Sequence, residues 1–316
     1  MDSEARRSRL ASLFLRGGVT VGIFAAIIWL LPMGEVWKAM TLVGWWRWLA
    51  VACVFGIGHV ISAYKWSQLV HAAGAPHEFG LALRAHMAGL FANIWLPSIV
   101  GGDVVRAAWI SRHHGVTVSA VTGLLDRALD LLALVILIAC GAILTGDLAN
   151  SALGSVLFPL GLFLLFCLVA ALMALRYLRP GHLPAAMRPT GKKVLEIARA
   201  LYARPGPALR SLLLAIFVQS AFVWLNYYIG TAIGIDVHFS VWLMAWPLAK
   251  LMALLPVSLG GLGVREAALA ALLLPFAVTG TLAVAEALVW QSILMGFGFL
   301  AGAGSIMSGK RIQKSG

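Results

Sequence analysis

Two strings in this chain place arginine just after a Pro…Gly-Gly bend: PSIVGGDVVR at residues 97–106 and PVSLGGLGVR at 256–265. Aligning Pro97 with Pro256 aligns Gly101 with Gly260, Gly102 with Gly261, and Arg106 with Arg265. Proline stops an apolar helix and paired glycines accept the positive φ of a tight reversal. A helix restarting after the glycines would point free N–H groups and a positive dipole end into the protein. A guanidinium in its first turn suits bidentate binding of a phosphate. That is the chemistry of an anion site. A plainer reading stays open: Asp103 can pair with Arg106 and Glu266 with Arg265, so that the charges only brace the bends.

A second constellation is LLDRALDLL, with Asp126 and Asp130 four residues apart on one helical face and Arg127 beside them. Three roles fit: ion-pair partners for the arginines, a proton relay, or a metal-binding DxxxD of an intramembrane transferase. The transferase reading needs further carboxylates and a larger consensus, and the chain shows neither. Asn93 stands four residues before Pro97, where it can cap broken backbone or touch a ligand. Lys250, Glu286 and Gln291 lie in apolar runs and can line a cavity; Glu286 alternatively sits near the outer interface. His59 reads as a packed residue among the small residues of GIGHV, and His113-His114 as an interface pair. Cys53, Cys140 and Cys167 lie inside apolar runs, which favours core packing over a disulfide or metal cluster.

The elements that must hold these groups are membrane helices. Of 316 residues 61% are hydrophobic and 11% charged, with a mean hydropathy of +0.92. Soluble domains carry about 25% charged residues, and the alternation of a β-barrel is absent. The sequence predicts an all-α polytopic membrane protein with six full spans, at about 17–32, 45–63, 118–144, 154–175, 210–235 and 282–305. Regions 79–115 and 241–278 each read as a re-entrant helical hairpin. The second arm of the first, 103–113, reaches only about 16 Å, roughly half of a hydrocarbon core about 30 Å thick. The first apolar run has no small-x-small cleavage site after it and reads as an uncleaved span.

Basic residues set the orientation. With the N-terminus inside, cytoplasmic loops 1–16, 64–80, 112–117, 176–209 and 306–316 collect Lys65, Arg112, the run from Arg176 to Arg204, and Lys310, Arg311 and Lys314. The outer segments, including 33–44, hold only Lys38. That obeys the positive-inside rule and predicts a bacterial cytoplasmic membrane protein with both termini cytoplasmic. The net charge of +12 then reports topology and anionic lipid, not nucleic acid. Segment 176–209 is a basic linker, either a plain loop or a short amphipathic helix with Val194, Leu195, Ala198, Leu201 and Tyr202 on its apolar side. The tryptophans read as an interfacial belt.

These assignments make one transmembrane domain of two halves, about 10–147 and 150–307, of opposite orientation. Such an inverted repeat recurs in secondary transporters, with the site near the midplane.

NIWLPSIVGGDVVRAAWISR, LLDRALDLLAL and LLPVSLGGLGVREAAL, in this order, resemble the lysylphosphatidylglycerol synthase transmembrane-region family, also described as flippase-like domains. The resemblance spans about residues 10–305. It implies a lipid flippase or scramblase without a cofactor, with Asn93, Pro97, Gly101, Gly102, Asp103, Arg106, Asp126, Arg127, Pro256, Gly260, Gly261, Gly263, Arg265 and Glu266 at motif positions. Its partners would be membrane lipids with anionic or phosphate headgroups and a lipid-synthesis enzyme. In the family's best-known members this region precedes an aminoacyl-transferase domain; a chain ending at Gly316 would lack it and act as a stand-alone member. Many relatives carry arginine where this chain has Gln291, which bears on headgroup choice. A metal-dependent lipid transferase and a non-transporting accessory subunit are the alternatives.

Overall fold

Away from water, a backbone in long apolar runs can satisfy its own polar groups by forming helices. A computed structural model of the chain describes residues 17–95, 101–146, 173, 177, 181, 184, 188–203, 205–255, 258 and 261–312, and no strand occurs among them. The helices are α1 (Gly17–Leu30), α2 (Met33–Thr41), α3 (Gly44–Ala72), α4 (Phe79–Trp95), α5 (Gly101–His114), α6 (Val116–Thr145), α7 (Arg188–Ala203), α8 (Pro205–Ala232), α9 (Phe239–Ala253), α10 (Val264–Leu273) and α11 (Gly280–Ile312). A 3₁₀ turn, Leu274–Phe276, follows α10.

Four helices, α3, α6, α8 and α11, are long and apolar enough to cross a membrane. The pair α1 and α2 is bent by 91° and counts as a fifth only if taken as one broken span. The expected span at 154–175 falls outside the described residues except Met173. The predicted first span ends at Leu30, and the outer segment placed at 33–44 is largely the helix α2. The reason is amphipathic: Val36 and Ala39 are buried while Glu35 and Lys38 stay exposed, and α2 packs on α11.

The expected hairpins appear as paired short helices. At 1.5 Å per residue, α4, α5, α9 and α10 reach only about 26, 21, 22 and 15 Å. α4 packs on α5 and α9 on α10. Residues 96–100, 256–257 and 259–260, with Pro97, Pro256 and Gly260, lie outside the described residues. The first pair meets at glycine. A Cβ on Gly89 would sit 2.7 Å from the Gly102 carbonyl oxygen, and one on Gly102 would sit 2.6 Å from Asn93.

Contacts between helices repeat along the chain. α3 packs on α8, α6 on α9, and α4 on α11; α5 packs on α6 and α10 on α11. Exchanging α3, α4, α5 and α6 for α8, α9, α10 and α11 maps this set of contacts onto itself. The caps repeat as well. After α3, Gly74 takes φ 82°, and the Ala75 N–H donates to the Val70 carbonyl at 3.2 Å. After α8, Gly234 takes φ 90°, and the Ile235 N–H donates to the Gly230 carbonyl at 2.9 Å. Both are the six-to-one bond of a Schellman cap.

The interior between the halves is aromatic. Phe55 meets Phe222 at 5.1 Å and Trp290 at 5.2 Å, and Trp246 meets Trp290 at 5.7 Å. Trp66, Trp242, Trp246 and Trp290 are buried, so the tryptophans are not all belt residues; Trp45 and Trp46 are exposed. Small residues let helices close, as expected around His59: a Cβ on Gly58 would meet Phe222 at 2.5 Å, and one on Gly56 would meet Phe297 at 2.6 Å. Cys53 and Cys140 are exposed and do not pack in the core. They ride on the outer faces of long helices, where an apolar residue meets lipid at little cost. The linker contains a helix, α7, that docks on the protein. Leu195, Ile197 and Leu201 are buried, the last two against Trp66, Val70 and Ile110. Val194 and Tyr202, expected on the same face, are exposed.

Candidate functional site

The first motif arginine is held by three helices at once. Arg106 of α5 is 5% exposed, its guanidinium 4.3 Å above the Trp66 ring and 3.0 Å from an Asp126 carboxylate oxygen. Lys65 of α3 lies 3.0 Å from the other Asp126 oxygen and also pairs with Asp130. Asp103 lies 3.5 Å from Arg106 and 2.5 Å from Arg127. The chain of ion pairs therefore runs Arg127, Asp103, Arg106, Asp126, Lys65, Asp130, alternating in sign and neutral in sum. Its middle is buried, while the side chains of Asp103, Asp130 and Arg127 are 20%, 26% and 40% exposed.

This group corrects the sequence reading at Lys65, which was assigned to a cytoplasmic loop. Lys65 is 1% exposed inside α3. No helix breaker stands between Ser62 and Gly74, so the helix runs on past the point where charge suggested an end. The positive-inside count loses that lysine but keeps the 176–209 run and the C-terminal lysines.

Both half-helix N-termini are self-capped. Asn93 Oδ1 accepts from the Gly102 N–H at 2.8 Å, so this asparagine caps α5. Glu266 Oε2 accepts from the Gly263 N–H at 2.7 Å in front of α10. Gly261 and Gly263, at φ 76° and 80°, make the turn that glycine permits. Asp103 and Glu266 in the first turns answer the positive dipole ends from within the chain. The N–H groups at Gly102 and Gly263 are thus taken.

The second motif arginine is anchored on α11. Arg265 donates to Glu266 at 2.8 Å, to the Ala287 carbonyl at 3.2 Å and to Gln291 Oε1 at 3.0 Å. Between the two groups stands Lys250 of α9. It donates to Gln219 Oε1 of α8 at 2.9 Å and lies 5.1 Å from the Trp246 ring. The charges of Asp130, Arg127, Lys65 and Arg265 all reach it. Among the described residues no carboxylate lies within salt-bridge distance of Lys250. Glu286 is 0% exposed, inside the fold. Sequence reasoning missed Lys65, Trp66, Gln219 and His86. Gln219 carried a usable signal, as a lone amide in the apolar run LLLAIFVQSAFVWL. His59 bonds His86 through ring nitrogens 3.1 Å apart.

At the α3–α4 connection His77 joins His71 and His114, with ring centroids 4.5 and 5.9 Å away. A carbonyl only accepts, so His77 Nδ1 donates to Ala75 and Nε2 accepts from Ser67. Burial pushes the His77 imidazole below its usual 6.5. The fold therefore prefers neutral His77, and its contribution to stability is full above about pH 6.5 and is lost as acidification carries the imidazole through its lowered value. Amide exchange in residues 71–79 is expected to quicken as pH falls below about 6.5, after correction for intrinsic rates, and His77→Gln to abolish that acid limb.

Among the described residues no cluster of three or more His, Cys, Asp or Glu could hold a metal ion; Asp126 and Asp130 instead share Lys65. The model of the lysylphosphatidylglycerol synthase TM region matches residues 16–302. The chain belongs to that family. A relative described as a UPF0104 membrane protein, from Methanothermobacter thermautotrophicus, is 26% identical over 308 residues, covering 90% of this chain and 89% of its own length. No solved structure matches. The chain is thus a multi-pass helical membrane protein with a charged interior built by α3, α5, α6, α9, α10 and α11.

Proposed function

We propose that the chain carries lipids with an anionic, phosphate-bearing headgroup between membrane leaflets. The observation that carries this reading is Lys250, a partly buried cation set among Gln219, Phe222 and Trp246 with no carboxylate beside it among the described residues. An intramembrane charge is costly and is a functional-site hypothesis by default. A phosphate would supply the missing counter-charge, with Arg265 and the half-exposed Arg127 on either side. Arg106 takes a scaffold role, since Asp126 and Trp66 already hold it.

The exchange of helix contacts between α3–α6 and α8–α11 supports an inverted repeat, about 10–147 and 150–307, of six spans and two re-entrant hairpins. Rocking of one half on the other would expose the Lys250 region to each leaflet in turn. We place the protein in a bacterial cytoplasmic membrane with both termini inside, and a lipid-synthesis enzyme as its partner. The test is reconstitution of the full chain in phosphatidylcholine vesicles holding a trace of fluorescent phosphatidylglycerol. Dithionite quenching is expected to exceed half of the signal with protein and to stop at the outer-leaflet half without it. Equal quenching in both would refute carriage of this lipid.

A further inference from the structure

We propose that Glu286 is an exchangeable proton site whose occupancy gates the interior anion site; the gating half rests on the lipid-carrier reading above. Glu286 is 0% exposed and neither carboxylate oxygen has a hydrogen-bond partner among the described residues. The other buried carboxylates differ. Asp126 pairs with Lys65 and Arg106, and Glu266 with Arg265 and the Gly263 N–H. Burying an ionised carboxylate without a partner is far costlier than burying the neutral acid. A side chain kept in that position on the core face of α11, one turn before Trp290, calls for a use.

Its surroundings define that use. The charged groups acting on it are Arg265 and Glu266 of α10. α2, α3 and α8 contribute Val36, Ala39, Phe55 and Phe222 to the same core, while Glu35 and Lys38 of α2 face outward. On α3 and α4, His59 and His86 are bonded to each other, and on α8 Gln219 is held by Lys250. Arg265 is therefore the cation that Glu286 can address. The next residue along α11, Ala287, holds Arg265 through its carbonyl, and Gln291 holds it one turn on. When the Glu286 O–H bond breaks, the proton leaves to water entering the interior. The new carboxylate then competes with Gln291 for the guanidinium.

Charge balance links this proton to the lipid. Lys65, Arg106, Arg127, Lys250 and Arg265 face Asp103, Asp126, Asp130 and Glu266, so with its proton on Glu286 the interior has one surplus positive charge. One phosphodiester anion neutralises it. With the proton gone, the interior is already balanced and has no call for a headgroup. Proton and anionic lipid thus favour each other's binding.

Two measurements on the full chain in nanodiscs test this. Infrared spectroscopy is expected to show a protonated-carboxyl band, shifted in D2O and lost in Glu286→Gln, with Glu286→Asp retaining a displaced band. A band unchanged in Glu286→Gln, or absent from the wild type, overturns the proton site. In the second, intrinsic tryptophan fluorescence is titrated with water-soluble dihexanoyl-phosphatidylglycerol across about pH 5 to 9. Affinity is expected to weaken by about tenfold as pH rises in the wild type and by clearly less in Glu286→Gln, where Lys250 is the remaining group that can lose its charge. The same pH dependence in both overturns the gating. A wild type that shows the band but binds no phosphatidylglycerol at any pH keeps the proton site and overturns the gating together with the carrier reading.

Discussion

Replacing Asp126 by alanine is expected to lower the unfolding free energy by about 3–5 kcal/mol, because it strips a buried cation pair of its shared carboxylate. Asp126 touches Lys65 and Arg106 at 3.0 Å each, and all three are nearly inaccessible. The carboxylate also joins α3, α5 and α6, so its loss loosens three elements. Chemical unfolding in detergent micelles, followed by near-UV circular dichroism, reads the change. The triple variant Asp126→Leu, Lys65→Met and Arg106→Met should recover much of the loss, since an apolar replacement of a buried ionic group is often neutral or better. A shift below about 1 kcal/mol in Asp126→Ala would mean the group is solvated in the folded protein.

Replacing Arg265 by alanine is expected to act on transport far more than on folding. Glu266 loses its cation and so some stability is lost, but its carboxylate still caps Gly263, the Ala287 carbonyl belongs to a helix, and the Gln291 amide can turn. What disappears is a cation beside the Lys250 region. A charge-assisted hydrogen bond is worth about 1.5–3 kcal/mol, so translocation of phosphatidylglycerol should slow about tenfold to a hundredfold. Arg265→Lys should fall between, keeping the charge on a shorter side chain that does not place its nitrogen where Arg265 Nη2 meets Glu266, Ala287 and Gln291. Arg106→Ala would not discriminate in the same way, because removing a cation from the Asp126 network disturbs the fold first.

The four long helices α3, α6, α8 and α11 and both pairs of short helices were legible because apolar runs mark them, whereas α2 was read as an outer segment. The pairing of charges across helices was not legible. Asp103 sits three residues from Arg106, yet its shorter contact is with Arg127 on α6, a choice made by helix packing that spacing alone does not report. Lys65 was misplaced because counting charges treats a lysine as solvated, whereas this one is matched by two carboxylates sixty residues downstream. Gln291 stood out as a departure from the family pattern, and its role follows from chemistry: an amide oxygen accepts from Arg265, which an arginine there could not do. Segment 188–203 showed its apolar spacing, but which side met the protein depended on where Trp66 and Val70 already lay.

The central claim is that a lipid headgroup visits the charged interior, and headgroup photolabelling tests it most directly. Phosphatidylglycerol carrying a photoreactive group on its glycerol head would be irradiated in vesicles containing the full chain, and the adducts mapped by mass spectrometry. The account predicts adducts on the peptides holding Gln219, Lys250 and Arg265, strongly reduced in Lys250→Met. Adducts confined to outward-facing positions such as Trp45, Trp46 and Leu213, unchanged in Lys250→Met, would contradict it.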